Sequence, residues 1–184
     1  MTTLAVDRRI RWVALATLVI ATGLAYARTF SAPFVFDDIG SIANNASIRS
    51  LWPPWTALSP PPQMTVSGRP LLNLSFALNY AISGTNPWSY HAVNLAIHVG
   101  AGLLLFGIVR RTLLLPQFAA RTRASAMFIA WSIAALWLLH PLQTESVTYI
   151  VQRAESLAAL SYLLTLYAFV RAVATPTEFH VLRE

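Results

Sequence analysis

The sequence contains no cysteine and no lysine, and only seven of its 184 residues are acidic. Without cysteine there is no disulfide framework, no thiolate metal site and no cysteine nucleophile. Without lysine the basic set is thirteen arginines, a compositional bias that carries no mechanism by itself. Charged residues make up 11% of the chain, against about 25% in an ordinary soluble domain. Hydrophobic residues make up 56% and gather in blocks, which points to an all-α membrane protein. The net charge of +6 does not indicate nucleic acid as a partner. The arginines flank apolar blocks and form no basic stripe, so the positive-inside rule accounts for them better.

Four apolar blocks read as spans: Trp12–Ala27, Ala92–Val109, Ala124–Leu139 and Leu157–Val173. A span needs roughly 17–25 residues, so two of them are near the lower limit. Arg8, Arg9 and Arg11 precede the first block. Arg110, Arg111, Arg121 and Arg123 lie between the second and third, and Arg171 and Arg183 close the fourth. With four spans these groups share one side, expected to be the cytoplasmic side of a bacterial inner membrane. The expected organisation is a cytoplasmic N-terminus over 1–9, a transmembrane domain over 10–174 with an outer loop over 29–91, and a short polar tail over 175–184. A rival reading of the N-terminus is a secretory signal ending at Ala25-Tyr26-Ala27. Cleavage there would leave the loop outside all the same.

The middle of the outer loop, from Trp52 to Pro62, is proline-rich and excludes regular helix. Arg69-Pro70 then opens an amphipathic stretch with Leu71, Leu74, Leu78 and Ile82 at helical spacing. Pro70 suits a first turn, and Gly84, Asn86 and Pro87 end the stretch. Too short and too polar for a span, it reads as a helix lying on or against the membrane. Pro141 is expected to break or restart the helix after the third block.

Against this apolar background a few polar residues stand out. Asp37 and Asp38 are adjacent, just past the first block. Such a pair can supply a general base for an acceptor hydroxyl, or ligate a divalent ion, which the sequence permits without requiring. It can equally cap a helix or form a turn. His91, Asn94 and His98 share one helical face. They line a bundle interior or a wet cavity, or simply join helices, the reading preferred for His98. Between the third and fourth blocks come His140, Glu145, Gln152, Arg153 and Glu155. If helix resumes near Thr144, then Glu145, Tyr149, Gln152 and Ser156 align on one face. Arg153 outside the membrane suits a lipid-linked phosphate, or else an internal ion pair with a glutamate.

Taken in order, these blocks resemble one family. They are Phe36-Asp37-Asp38; Arg69-Pro70-Leu71 with Leu74 to Tyr80; Tyr90-His91 with Asn94 and His98; and His140-Pro141 through Glu145 to Gln152-Arg153-Ala154-Glu155-Ser156. The resemblance is to the GT-C integral-membrane glycosyltransferases, in the branch that joins a membrane domain to TPR repeats and includes O-mannosyltransferases. It implies an all-helical bundle whose first outer loop carries membrane-lying helices. It also implies transfer of a sugar, mannose-like, from a polyprenyl-phosphate carrier to an acceptor hydroxyl of a protein or glycan at the outer face. Asp37 or Asp38 would be the catalytic carboxylate. Charge and side make Arg153 the first candidate for the donor phosphate and Arg69 the second. His91, Asn94, His140, Glu145, Gln152 and Glu155 would be supporting polar residues. The chain has four apolar blocks where such enzymes have seven or more spans, and it shows no 34-residue repeat, so it is expected to be the N-terminal part of such a domain. The alternatives are a membrane scaffold or accessory subunit and, less well suited, a transporter.

Overall fold

A computed structural model describes residues 2–174, with side chains over 8–173. The expected tail over 175–184, with Arg183, lies outside the described residues. The described chain is helical, with no strands. Eight α-helices run in order: α1 (Thr2–Ala25), α2 (Pro54–Leu58), α3 (Pro70–Ser83), α4 (Trp88–Leu113), α5 (Ala120–Ala124), α6 (Ala126–Leu138), α7 (Thr144–Thr148) and α8 (Arg153–Ala174). Short 3-10 and π turns join them, chiefly over 27–48 and at Pro141–Gln143 and Ile150–Gln152.

Helix α4 is the axis of the bundle and packs most extensively on α8 and α6. Close approach to α6 depends on Gly102, where a Cβ would stand 2.4 Å from the Leu138 side chain. Two helical segments, Trp88–Leu113 and Ile150–Val173, are long and apolar enough to cross a membrane. The third candidate is a bent pair, α6 followed by Pro141–Thr148, with a 55° change of direction. The protein is thus an integral membrane protein with two or three candidate spans among the described residues. The first apolar block is helical within α1, but three arginines at 8, 9 and 11 shorten its apolar run.

Within the proline-rich loop, against the expectation from its prolines, Pro54–Leu58 forms a short α-helix, with Pro54 in the first turn, where a missing N–H leaves no bond unmade. The loop folds back on the bundle. Its turns and α3 form a buried cluster containing Ile42, Ile48, Val66, Leu72, Phe76 and Ile150. A second cluster, with Leu18, Phe106, Ala130, Ala134 and Leu138, joins α1, α4 and α6. Pro70 opens α3, and Gly84 ends it with φ +57°, a left-handed value that favours glycine. The buried face of α3 carries Leu72, Asn73, Phe76, Ala77 and Asn79, while Leu71, Leu78 and Ile82 face outward. Of the periodic apolar residues, Leu74 packs on the core while the other three mark the outward face, as suits a helix resting on lipid.

Asn73 ties the loop to α3. Its Nδ2 donates to the Ala57 carbonyl and to Ser47 Oγ, both at 2.8 Å, and its Oδ1 accepts from Asn45 Nδ2 at 2.8 Å. Asn73 and Asn45 are buried and Ser47 is half-buried, so truncation strands several polar groups. Asn73→Ala is expected to destabilise the fold by about 1–3 kcal/mol. Thermal unfolding in detergent, followed by tryptophan fluorescence, reads this as a lower midpoint, and an unchanged midpoint refutes it.

Candidate functional site

Phe36, in the turn before the aspartates, has φ +47°, an uncommon backbone value for a bulky residue. Asp37 and Asp38 follow it as consecutive helical residues, so their side chains point about 100° apart. Asp38 is fully buried. Its Oδ1 accepts the Val151 N–H at 2.8 Å and its Oδ2 accepts the Val35 N–H at 3.2 Å. Burial pushes the Asp38 carboxyl above the usual aspartate range, and the backbone hydrogen bonds pull the other way. Asp38 is therefore a tether between the outer loop and the turn that opens α8. Asp37 is exposed. Its backbone N–H donates to the Tyr149 hydroxyl at 3.3 Å, and the Phe36 ring stands edge-on to Tyr149 at 6.3 Å.

Arg153 is fully buried. Its Nε–H donates to Asn94 Oδ1 at 2.7 Å, and Nη1 donates to Asn79 Oδ1 at 2.7 Å and Ser75 Oγ at 3.0 Å. Its Nη2 donates to the Tyr90 carbonyl at 2.9 Å, and the guanidinium lies 4.7 Å from the Phe76 ring centre. Its partners are amides, a hydroxyl, a carbonyl and a ring, rather than the glutamate ion pair weighed from the sequence. This position is that of an internal clamp, without an exposed face to offer a phosphate.

The ion pair belongs to Arg69. Its Nη2 lies 3.6 Å from Glu155 Oε1, with both side chains well exposed. The two residues line an open groove of about 470 Å³ floored by Leu72, Leu157 and Ala158. A surface pair of this kind holds weakly and can exchange its partner. Arg69 thus keeps an accessible guanidinium.

The supporting residues divide. Asn94 is an internal bridge, accepting from Arg153 and donating to the Ile150 carbonyl at 3.2 Å. His91 is buried, with Nε2–H donating to the Ala32 carbonyl at 3.1 Å and Nδ1 without a partner. His98 joins helices by donating from Nε2 to the Leu138 carbonyl at 3.0 Å. His140 is exposed, and its Nδ1 accepts the Leu142 N–H at 3.2 Å, capping the turn at the break. Helix does resume at Thr144, but it ends at Thr148, and Tyr149 is extended. The continuous face of Glu145, Tyr149, Gln152 and Ser156 therefore does not form. Gln152 Nε2 nonetheless donates to Glu145 Oε1 at 3.2 Å. Among the described residues no three His, Asp or Glu side chains gather as a metal-ligand set.

Sequence reasoning overlooked Ser75 and Asn79 as acceptors for the buried arginine, and Tyr149 as the neighbour of Asp37. A signal was present in α3, where Asn73 and Asn79 share a side with Phe76. The separated aspartates predict opposite behaviour. Asp38→Asn sets an amide N–H₂ against a backbone N–H and is expected to cost about 1–3 kcal/mol. Asp37→Asn is expected to leave the unfolding midpoint within experimental error. Equal effects of the two substitutions on thermal unfolding refute the assignment.

The chain is similar to known proteins over most of its length. The chain is 37% identical over 167 residues to human protein O-mannosyl-transferase TMTC2, covering 84% of this chain and 18% of the relative. It is 33% identical over 169 residues to mouse protein O-mannosyl-transferase TMTC1, covering 87% and 17%. It is 32% identical over 165 residues to human protein O-mannosyl-transferase TMTC4, covering 81% and 22%. The chain therefore spans about a fifth of the length of these relatives. No family model and no solved structure matches. The chain is homologous to the N-terminal part of the TMTC protein O-mannosyl-transferases, within the GT-C integral-membrane glycosyltransferases.

Proposed function

We propose that this chain forms the outer-face acceptor end of a sugar transferase that uses a polyprenyl-phosphate-linked hexose, mannose-like, as donor. The single observation that carries this reading is the exposed carboxylate of Asp37, on a backbone held by buried Asp38 and by Tyr149. Such a carboxylate, open to solvent beside the Tyr149 hydroxyl, is positioned for proton transfer. An acceptor hydroxyl attacks the anomeric carbon of the donor as the bond from that carbon to the phosphate oxygen breaks on the opposite face. Asp37 takes the hydroxyl proton. Arg69 exchanges Glu155 for the departing polyprenyl phosphate and stabilises its charge. Arg153 acts by holding the first turn of α8. The relatives, named as protein O-mannosyl-transferases, support this reaction class and a protein hydroxyl as acceptor.

The topology that accompanies this reading has α1 as a further span. The arginine-rich ends of α1, α4 and α8 then lie in the cytoplasm, and the loop bearing Asp37 lies outside. The location is an inner or plasma membrane.

The test is transfer of labelled mannose from a polyprenyl-phosphate donor to serine- and threonine-containing peptides, by protein reconstituted in bilayers. Asp37→Asn is expected to reduce transfer by roughly 10²–10⁴-fold with unchanged insertion and unfolding midpoint. Transfer undiminished by Asp37→Asn overturns the assignment. Donor retention by the chain is measured separately, and Arg69→Gln is expected to weaken it by roughly tenfold. Undiminished retention removes Arg69 from the donor site.

A further inference from the structure

A cavity of about 540 Å³ lies between α1, α4 and α8, at the end of the bundle away from the aspartates. Its size falls within the roughly 300–1,000 Å³ range of small-molecule sites. Arg11 of α1 and Arg110 and Arg111 of α4 meet at its mouth. No acidic residue is among its described lining side chains. Its wall is apolar, built from Leu15, Leu103 and Leu104 on one side and Leu160 and Leu164 on the other.

The mouth is ordered by specific contacts. The Arg111 guanidinium lies 5.2 Å from the Tyr167 ring centre, and Nη2 donates to the Tyr167 hydroxyl at 3.1 Å. Tyr167 can lie against α4 because residue 107 is glycine, where a Cβ would stand 2.7 Å from the ring. Arg11 sits 6.0 Å from the ring centre of its neighbour Trp12, which is 61% exposed. Indole rings of this kind settle at the headgroup level of a bilayer. The cavity thus has two chemistries in register: guanidinium groups at the interface, and below them a hydrocarbon slot.

We propose that this cavity binds one anionic glycerophospholipid, its phosphodiester held by Arg11, Arg110 and Arg111 and one acyl chain lying along Leu104 and Leu164. Charge complementarity selects this occupant. Guanidinium forks match phosphate oxygens, and basic pockets between membrane helices hold anionic headgroups. A passing apolar helix satisfies the leucines but offers the guanidinium groups no anionic acceptor. The site is distinct from the groove at Arg69, and its occupancy does not depend on the transferase reading.

Native mass spectrometry of the protein, after exchange into mixed micelles with equal phosphatidylglycerol and phosphatidylcholine, tests the proposal. One phosphatidylglycerol is expected to be retained in preference to phosphatidylcholine. The double variant Arg11→Gln/Arg111→Gln is expected to lower that retention by roughly tenfold or more. Leu104→Trp, which narrows the slot and keeps every charge, is expected to lower it as well. Arg8→Gln/Arg9→Gln alters the neighbouring groove that Arg8 and Arg9 line. It is expected to leave retention unchanged. Equal retention of the two lipids overturns the proposal, as does retention that falls equally with Arg8→Gln/Arg9→Gln. Displacement of the phospholipid by equimolar polyprenyl phosphate, or a mass corresponding to a second copy of the chain in its place, also overturns it. Folding of each variant is checked by its unfolding midpoint. Should the double variant fail to fold, lipid preference in the parent and the response to Leu104→Trp decide.

Discussion

A guanidinium taken out of water must find acceptors for its N–H groups from whatever surrounds it, because each unmatched donor carries the full cost of desolvation. Arg153 meets this demand without a direct carboxylate partner. Asn94 and the Tyr90 carbonyl come from α4, Asn79 and Ser75 come from α3, and the face of Phe76 closes one side. Hydrogen bonds to a charged donor are worth about 1.5–3 kcal/mol each, but only while all of their partners stay in place. Helices α3, α4 and α8 are therefore held at one crossing point. Asp38 lies within electrostatic reach of this charge and joins the same assembly through the Val151 N–H. The outer loop inherits its rigidity from a buried cation at the head of α8.

That rigidity explains how two adjacent aspartates take unlike positions. One carboxylate can be buried if backbone N–H groups meet both of its oxygens, as they do at Asp38. A second buried carboxylate beside it would need its own donors and would repel the first. Adjacent positions on the helical turn after left-handed Phe36 resolve the conflict, with Asp38 facing inward and Asp37 outward. A strained residue of this kind persists only where its surroundings overdetermine it, and Asp38 and Tyr149 supply that constraint. Exposure of Asp37 and burial of Asp38 are thus two results of one turn.

Much of the helical plan was legible in the sequence. Apolar blocks mark α4, α6 and α8, Pro70 and Gly84 bound α3, and Pro141 marks the break. The direction of each face was harder to read. In water, a periodic row of leucines points inward; beside lipid, the row can point outward at equal cost, because hydrocarbon surrounds it either way. Leu71, Leu78 and Ile82 therefore gave the helix and its period but marked the side away from the core. The polar residues at 73 and 79 carried the inward direction instead. The burial of Arg153 was hard to read for a related reason. A lone charge in a sequence suggests exposure, and the acceptors that permit its burial are dispersed at positions 75, 79, 90 and 94, where no local pattern joins them.

The broken third helix links the interior to this outer end. Pro141 has no N–H to continue the ladder, and the carbonyl of Leu138 would ordinarily accept from Leu142. The Leu142 N–H goes to His140 Nδ1 instead, and the Leu138 carbonyl is taken by His98 Nε2. Irregular backbone at membrane depth is tolerated only with such replacements. His98 and His140 thus stabilise a break that would otherwise strand polar groups in hydrocarbon. The 55° bend sends α7 toward the outer loop, so that Tyr149 meets the backbone of Asp37. A straight helix through positions 138–148 would direct the residues after it elsewhere. The placement of the exposed carboxylate therefore depends on a histidine buried one helix away, and the polar stripe of α4 serves the site by shaping the chain around it.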